Sequence, residues 1–218
     1  MRPARLLELG VVDYREALDL QRRFAAEVQE GAPDTVLFLE HPPTVTLGRR
    51  AEADEVHLPD GADVDVVEVD RGGKSTYHAP GQLVCYPILD LKRHGRDVKA
   101  YVRRLEEALA LTVAPFGLRG ETLEGLTGLW LTRPPRKIAS IGVHVSRWIT
   151  THGYALNVDL DPAPFTQWIT ACGLDGYAFS SMARELGRDV TVADVRPAAA
   201  RAIADVFGLE LEPAAVAA

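Results

Sequence analysis

Residues 71–82, RGGKSTYHAPGQ, set two adjacent glycines among a dense run of hydrogen-bonding side chains. Gly72 and Gly73 carry no Cβ, so the backbone there can take unusual φ or lie directly against a ligand. Thr76, Tyr77, His78 and Gln82 can each donate or accept a hydrogen bond within that one stretch. The β-branched run 64–69 before it and the apolar run 83–89 after it have strand character. The expectation is a loop that joins two strands and faces a ligand, with a Gly-Pro surface turn as the plain alternative. An RNA-binding tail fits poorly, because such tails are repetitive and disordered whereas this RGG triplet occurs once between apolar runs.

The chain has two cysteines. Cys85 lies in the apolar run LVCYPIL and reads as a small packing hydrophobe. Cys172 follows a short helical piece and precedes Gly173, where a sharp turn can leave a thiol accessible. An ordinary thiol is only ~3% ionised at pH 7, so a sulfur nucleophile needs a base or a cation beside it. Lys137, at the start of a strand continuing as IASIG, is the candidate; its other reading is an exposed charge at the end of the RPPRK turn. His78 and His152 could pair with a thiol. His41, His57, His94 and His144 read as surface or structural groups, and no spacing resembles a zinc site.

A length of 218 residues suits one large domain or two small ones, and 47% hydrophobic with 25% charged residues is ordinary for a globular protein. The count of two cysteines argues against a disulfide framework. A net charge of −7 disfavours broad nucleic-acid binding, which needs a basic surface. No apolar run is long enough to span a bilayer, and Glu8 and Asp13 interrupt the N-terminal apolar residues, so neither a membrane span nor a signal peptide is expected. The expected location is the cytoplasm.

The elements that must position these groups follow from pattern. Asp13 with Glu16 opens a helix whose apolar spacing runs from Tyr14 to Val28, stopped by Gly31. Residues 35–40 form a short strand, ended by Pro42 and Pro43 and resumed over 44–47. Residues 51–62 read as an exposed loop. Asp97 caps a helix from Val98 to Val113, closed by Phe116-Gly117. A hairpin pairs 128–132 with 137–146 through the connection 133–136, and a strand follows at 154–160 with period-two alternation. Residues 164–169 form a short helical piece. The tail from Thr191 to Phe207 has helical composition; Pro197, tolerated only in a first turn, points to a start near Asp194 rather than Thr191, and pattern leaves that boundary open. Strands without regular βαβ alternation indicate one α+β domain, residues 1–218, with a mixed, mostly antiparallel sheet flanked by helices.

The residues EHPPTVTLGR (40–49), RGGKSTYHAPGQLVCYP (71–87), TGLWL (127–131), RKIASIGVHVSRWITTHGYALNV (136–158) and ITACGL (169–174) together resemble the lipoyl (octanoyl) transferases, relatives of the lipoate and biotin protein ligases. The resemblance implies the fold of those ligases' catalytic domain. It implies transfer of an octanoyl group from acyl carrier protein, without ATP, cofactor or metal, through a thioester on Cys172 activated by Lys137. The implied acceptors are lipoyl domains of 2-oxoacid dehydrogenase E2 subunits and the glycine cleavage H protein. The implied substrate-binding segments are Arg71, Gly72, Gly73, Lys74, Ser75, Thr76, Tyr77 and His78; Ser140, Ile141 and Gly142; and Gly153, Tyr154 and Ala155. Two residues depart from the family pattern: Ala79 and Cys85 stand where it usually has glycine, and Cys85 would place a second thiol near the ligand loop.

Burying an eight-carbon chain is worth about 0.8 kcal/mol per methylene, so one methylene more or less changes affinity only a few-fold. Selection of chain length therefore needs a blocked pocket end rather than burial alone. Acyl carrier proteins being acidic, Arg133, Arg136 and Arg147 are the expected docking patch. An ATP-dependent lipoate or biotin ligase, and a non-catalytic binding module on the same scaffold, are the competing readings.

Overall fold

The computed structural model describes residues 1–170 and 177–216. The chain opens with β1 (Arg2–Val11) and α1 (Tyr14–Gln29); the Asp13 carboxylate caps α1, accepting from the Arg15 and Glu16 N–H groups at 2.8 and 3.2 Å. Then come β2 (Asp34–Glu40), β3 (Thr44–Leu47), β4 (Asp65–Glu68), β5 (Ser75–His78) and β6 (Gln82–Ile88). Helix α2 (Val98–Val113) is capped by Asp97 in the same manner and ends in a 3₁₀ turn closed by left-handed Gly117. The second half holds β7 (Glu121–Leu123), β8 (Leu126–Thr132), β9 (Pro135–Ser146), β10 (Ile149–Asn157), α3 (Pro164–Gln167), β11 (Ala178–Phe179), α4 (Met182–Leu186), α5 (Val192–Phe207) and β12 (Leu209–Pro213).

The main sheet runs β12-β1-β2-β6-β10-β9-β8-β7, with β11 pairing off this path against β9. The pairs β12/β1, β1/β2 and β11/β9 are parallel and the others antiparallel, so the sheet is mixed and mostly antiparallel, as expected. Strict alternation along the central strands feeds two cores. Val36, Phe38, Leu83, Cys85 and Leu156 pack under α2 and α5, while Leu37, Leu39, Val84, Tyr86 and Ala155 pack under α1 through Ala17, Phe24 and Val28. Because both faces are covered, the central strands read as unbroken apolar runs. No helix of the described residues is long and apolar enough to cross a membrane.

Several expectations are corrected. Segment 44–47 does not resume β2: the two prolines turn the chain into a separate three-stranded sheet ordered β4-β3-β5. The glycine-rich stretch is not one loop, since residues 75–78 form β5, antiparallel to β3. Strand β10 begins at Ile149 and ends at Asn157 rather than spanning 154–160. Segment 51–62 is not wholly exposed, because Glu55 is buried. Helix α5 starts at Val192, capped by a reciprocal Thr191–Asp194 box, and carries Pro197 in its interior.

Candidate active site

A cavity of about 310 Å³ lies between β5 with its preceding loop and the β6–β10–β9 surface. Its walls include Val84, Tyr86, Ile141, Val143 and Ala155, with Lys137 at one end and Arg71 and His152 at the other. Of the residues singled out in the sequence, the structure brings Arg71, Gly72, Gly73, Lys74, Thr76, His78, Lys137, Ser140, Ile141, Gly142, Gly153, Tyr154 and Ala155 around it. Ser75 and Tyr77 are not among its lining. Alternation along β5 turns Thr76 and His78 inward and the other two away: the Ser75 hydroxyl donates to the Thr170 carbonyl at 3.1 Å, and Tyr77 packs on Phe165 and Trp168.

Lys137 is not an exposed strand-end charge; it is 3% exposed. Its neighbours are Trp130, opposite on β8, and Phe179, opposite on β11. Between Leu129↔Ala139 and Trp130↔Lys137 the register slips, leaving Ile138 as the extra residue of a β-bulge. A bulge resets side-chain alternation and so re-aims what precedes it. The Lys137 Nζ lies 5.4 Å from the Trp130 ring centroid. Gly128, at φ 125°, makes the room: a Cβ there would sit 2.8 Å from Lys137 Cε and 2.4 Å from the Ala139 carbonyl oxygen.

Cys172 lies outside the described residues. The chain just before it is tied down: Thr170 N–H donates to the Glu55 carbonyl at 2.9 Å, and Ile169 bridges to Val56. Beyond it, Tyr177 packs on the same Trp130 that Lys137 adjoins, with ring centroids 5.4 Å apart. Cys85 is fully buried between strands, burial pushes its thiol pKa far up, and it does not line the cavity. It is therefore a packing residue rather than an accessible second thiol. Ala79 is absent from the left-handed residues; Gly81, at φ 87°, makes the turn instead.

Arg71 is held from all sides. Its Nη1 donates to the Lys74 carbonyl at 2.8 Å, and its Nη2 to the Thr46 carbonyl and hydroxyl at 2.9 and 2.6 Å. Gly142 admits it, since a Cβ there would lie 2.8 Å from Arg71 Cδ. Strand packing requires Gly153: a Cβ there would fall 2.1 Å from the Cys85 carbonyl oxygen. Lys74 pairs with the Glu55 carboxylate, which also accepts from the Ser75 N–H. Burial pushes the Glu55 pKa up, but those bonds outweigh it and hold the carboxyl below its usual range.

His41, His78 and His152 form a neutral, oriented set. His41 Nδ1–H donates to the Val12 carbonyl at 2.8 Å and its Nε2 accepts from the Tyr86 hydroxyl at 2.8 Å; burial lowers its pKa to about 4. His78 Nδ1–H donates to Gln82 Oε1 at 2.7 Å. That amide is fixed by Nε2 bonds to the Tyr77 carbonyl and to Asn157 Oδ1, and Asn157 in turn donates to the Ser180 carbonyl. His152 Nε2 is 2.9 Å from Asp70 Oδ1. Burial lowers the His152 pKa despite that carboxylate, while the His152 hydrogen bond lowers Asp70 to about 2. Both shifts fit a neutral imidazole donating Nε2–H to an ionised carboxylate. Asp70, Tyr14 and Tyr86 were not singled out by sequence; Asp70 adjoins the glycine-rich stretch, but the other two are brought in only by long-range packing.

The expected docking patch is not one surface. Arg133 and Arg147 flank the twelve residues of β9 and stand on the order of 35 Å apart. Arg136 is engaged within the chain, with its Nε and Nη2 on the two Glu185 oxygens at 2.6 Å.

A mixed sheet with helices on both faces places this molecule in a known fold class. It superposes on a lipoate-protein ligase A crystallised with ATP (TM-score 0.82, 18% identity, 100% of this chain and 90% of that one) and on the Aquifex aeolicus biotin protein ligase (TM-score 0.55, 11% identity, 95% and 70%). Within that class, the lipoyl protein ligase A/B catalytic domain model matches residues 13–204, and the chain belongs to this family. Proteins named octanoyltransferase are similar to it along most of their length. That of Mycobacterium tuberculosis is 51% identical over 197 residues (90% of this chain, 84% of its own), and that of Chloroflexus aurantiacus 47% over 217 residues (96% of each).

Proposed function

We propose that this chain, as a single catalytic unit, transfers an octanoyl group onto a lysine of lipoyl domains. The donor is octanoyl-acyl carrier protein, and the acceptors are the lipoyl domains of 2-oxoacid dehydrogenase E2 subunits and the glycine cleavage H protein. The reaction takes place in the cytoplasm. The observation that carries the reading is Lys137: an amine buried at the end of an apolar-walled cavity, beside the Trp130 on which the residue following the Cys172 segment also packs. The name shared by the similar proteins supports the acyl group.

Lys137 takes the Cys172 thiol proton, and the thiolate attacks the carrier thioester carbonyl. The tetrahedral adduct collapses with loss of the carrier thiolate, which recovers a proton, leaving octanoyl on Cys172. The acceptor amine then attacks that thioester, Cys172 leaves as thiolate, and the amine proton passes through Lys137 back to sulfur. Thioester exchange is nearly balanced in energy, whereas the amide product is stable, so no nucleotide is needed. Val84 and Ala155 shelter the alkyl chain, worth about 0.8 kcal/mol per methylene.

Intact mass after mixing with octanoyl carrier protein tests this. An octanoyl adduct is expected on the native chain and on Cys85→Ala, and none on Cys172→Ala. An adduct that survives Cys172→Ala, or acylation that requires free acid and ATP, overturns it.

A further inference from the structure

Strand β9 changes partner at Lys137. Its ladder to β10 runs from Ser146 back to Ala139 and stops there, short of Lys137. On the opposite edge β8 continues past it, but with the register slip between Ala139 and Lys137. The edge that β10 leaves is taken by β11, which pairs Ala178 with Arg136 and Phe179 with Lys137. A ladder that short holds little by itself, so whatever fixes β11 also fixes the backbone from which the Lys137 amine projects.

Ser180, directly after β11 and 1% exposed, joins three elements. Its N–H donates to the Lys137 carbonyl at 3.0 Å, its carbonyl accepts from Asn157 Nδ2 at 2.9 Å, and its hydroxyl donates to Glu185 Oε1 at 2.6 Å. Glu185 comes from α4, which is docked beside the end of β10 by the Ala183 N–H bond to the Val158 carbonyl at 2.8 Å. The same carboxylate takes the Arg136 guanidinium two-pronged, Nε on Oε1 and Nη2 on Oε2, both at 2.6 Å. Such a fork fixes orientation as well as distance, and this one lies mostly out of water, with the Arg136 and Glu185 side chains 24% and 14% exposed. The bond from Arg136, ahead of that from Ser180, holds the Glu185 carboxyl below its ordinary range against the opposing effect of burial. Arg136, Ser180 and Glu185 are not among the residues lining the cavity, whereas Lys137 is. Glu185 therefore reaches the amine only through its two neighbours, one adjacent to Lys137 in the chain and one bonded to its carbonyl.

Resting on the reading of Lys137 as the base that activates Cys172, we propose that Glu185 is a positioning residue: by gripping Arg136 and Ser180 together it sets where the Lys137 amine stands. Removing its charge releases the Arg136 fork and loosens β11 at the one place where β9 lacks a regular ladder. A shift of about 1 Å in a catalytic group is enough to cost on the order of 100-fold in rate, so a carboxylate outside the cavity can govern the reaction inside it.

Lysine labelled with carbon-13 at Cε reads the position of the amine by NMR without any assay of transfer. The lysines of the chain are Lys74, Lys92, Lys99 and Lys137. The signal lost in Lys137→Arg is that of Lys137, and the Trp130 ring beside its Nζ should set it apart from the other three. In Glu185→Gln that signal should move toward the others while theirs stay in place, and single-turnover acylation of Cys172 should fall by on the order of 10–100-fold. Ser180→Ala, which removes only the hydroxyl, should move the signal the same way by less. A Lys137 signal unmoved in Glu185→Gln, or in Ser180→Ala where the first variant does not fold, overturns the proposal. A signal that moves while acylation keeps its native rate sustains the placement by Glu185 and instead removes Lys137 as the activator of Cys172.

Discussion

A lysine amine removed from water must be positioned more tightly than one at the surface, and at Lys137 that positioning rests on its neighbour Gly128. A Cβ at Gly128 would strike Lys137 Cε and the Ala139 carbonyl, and φ there is 125°. Gly128→Ala should therefore cost about 1–2 kcal/mol of stability through backbone strain. It should lower the rate of Cys172 acylation further, by on the order of 100-fold, through misplacement of the amine. Single-turnover acylation read beside urea unfolding separates the two, and equal losses in both would make Gly128 merely structural. Lys137→Arg addresses role rather than position. Guanidinium keeps a positive charge but does not release its proton in proteins, so if Lys137 acts as a base the acylation rate should fall by roughly 10²–10⁴. A time course of the acyl adduct that matches the native enzyme would mean that charge alone suffices.

At the scale of elements, Pro197 sits inside α5, five positions beyond its first residue, where it cannot donate to the Ala193 carbonyl. A proline there costs about 3 kcal/mol relative to alanine, while its restriction of the unfolded chain returns up to about 1. Pro197→Ala should accordingly raise stability by about 2 kcal/mol in urea unfolding, and a loss would mean that packing on α2 depends on the proline ring. Pro197 left the start of α5 open between Thr191 and Asp194; the Thr191–Asp194 box and the apolar positions Val195, Ala199, Ala202 and Ile203 outweigh the proline and start the helix at Val192. Helices α1 and α2 were legible because their information is local: an aspartate cap followed by one apolar stripe. Strands β1 and β12 were not, since each is defined by a parallel partner far along the chain, and β5 was hidden among glycines and polar residues that read as loop. The lysine and most of the glycine-rich segments could be singled out by residue type, but which of them face the cavity follows from strand alternation and the bulge at Ile138.

Across the whole molecule, the polar residues between α1 and the small sheet form one connected unit that contains His41, His78 and His152, all buried and all lowered in pKa, chiefly by burial. This ties stability to pH with a definite sign. Each histidine binds a proton more readily in the unfolded chain, near its ordinary value of about 6.5, than in the folded one, so between the two values the unfolded state holds more protons and stability rises with pH. The contribution is fully present above about pH 6.5 and is lost as pH falls toward the folded values. For His41, at about 4 when folded, the loss between pH 7 and 5 is on the order of 2 kcal/mol, and His78 and His152 add to it in the same direction. Asp70, held at about 2 by its bond from His152, stays ionised throughout that window and does not offset the loss. Urea midpoints measured at pH 7 and pH 5 should therefore fall steeply for the native chain. His41→Gln, which does not titrate in this range, should flatten the fall by about the His41 share even if it starts from lower stability. A pH slope unchanged by that substitution would mean that His41 takes up its proton in the folded state without penalty, against its burial and its two hydrogen bonds.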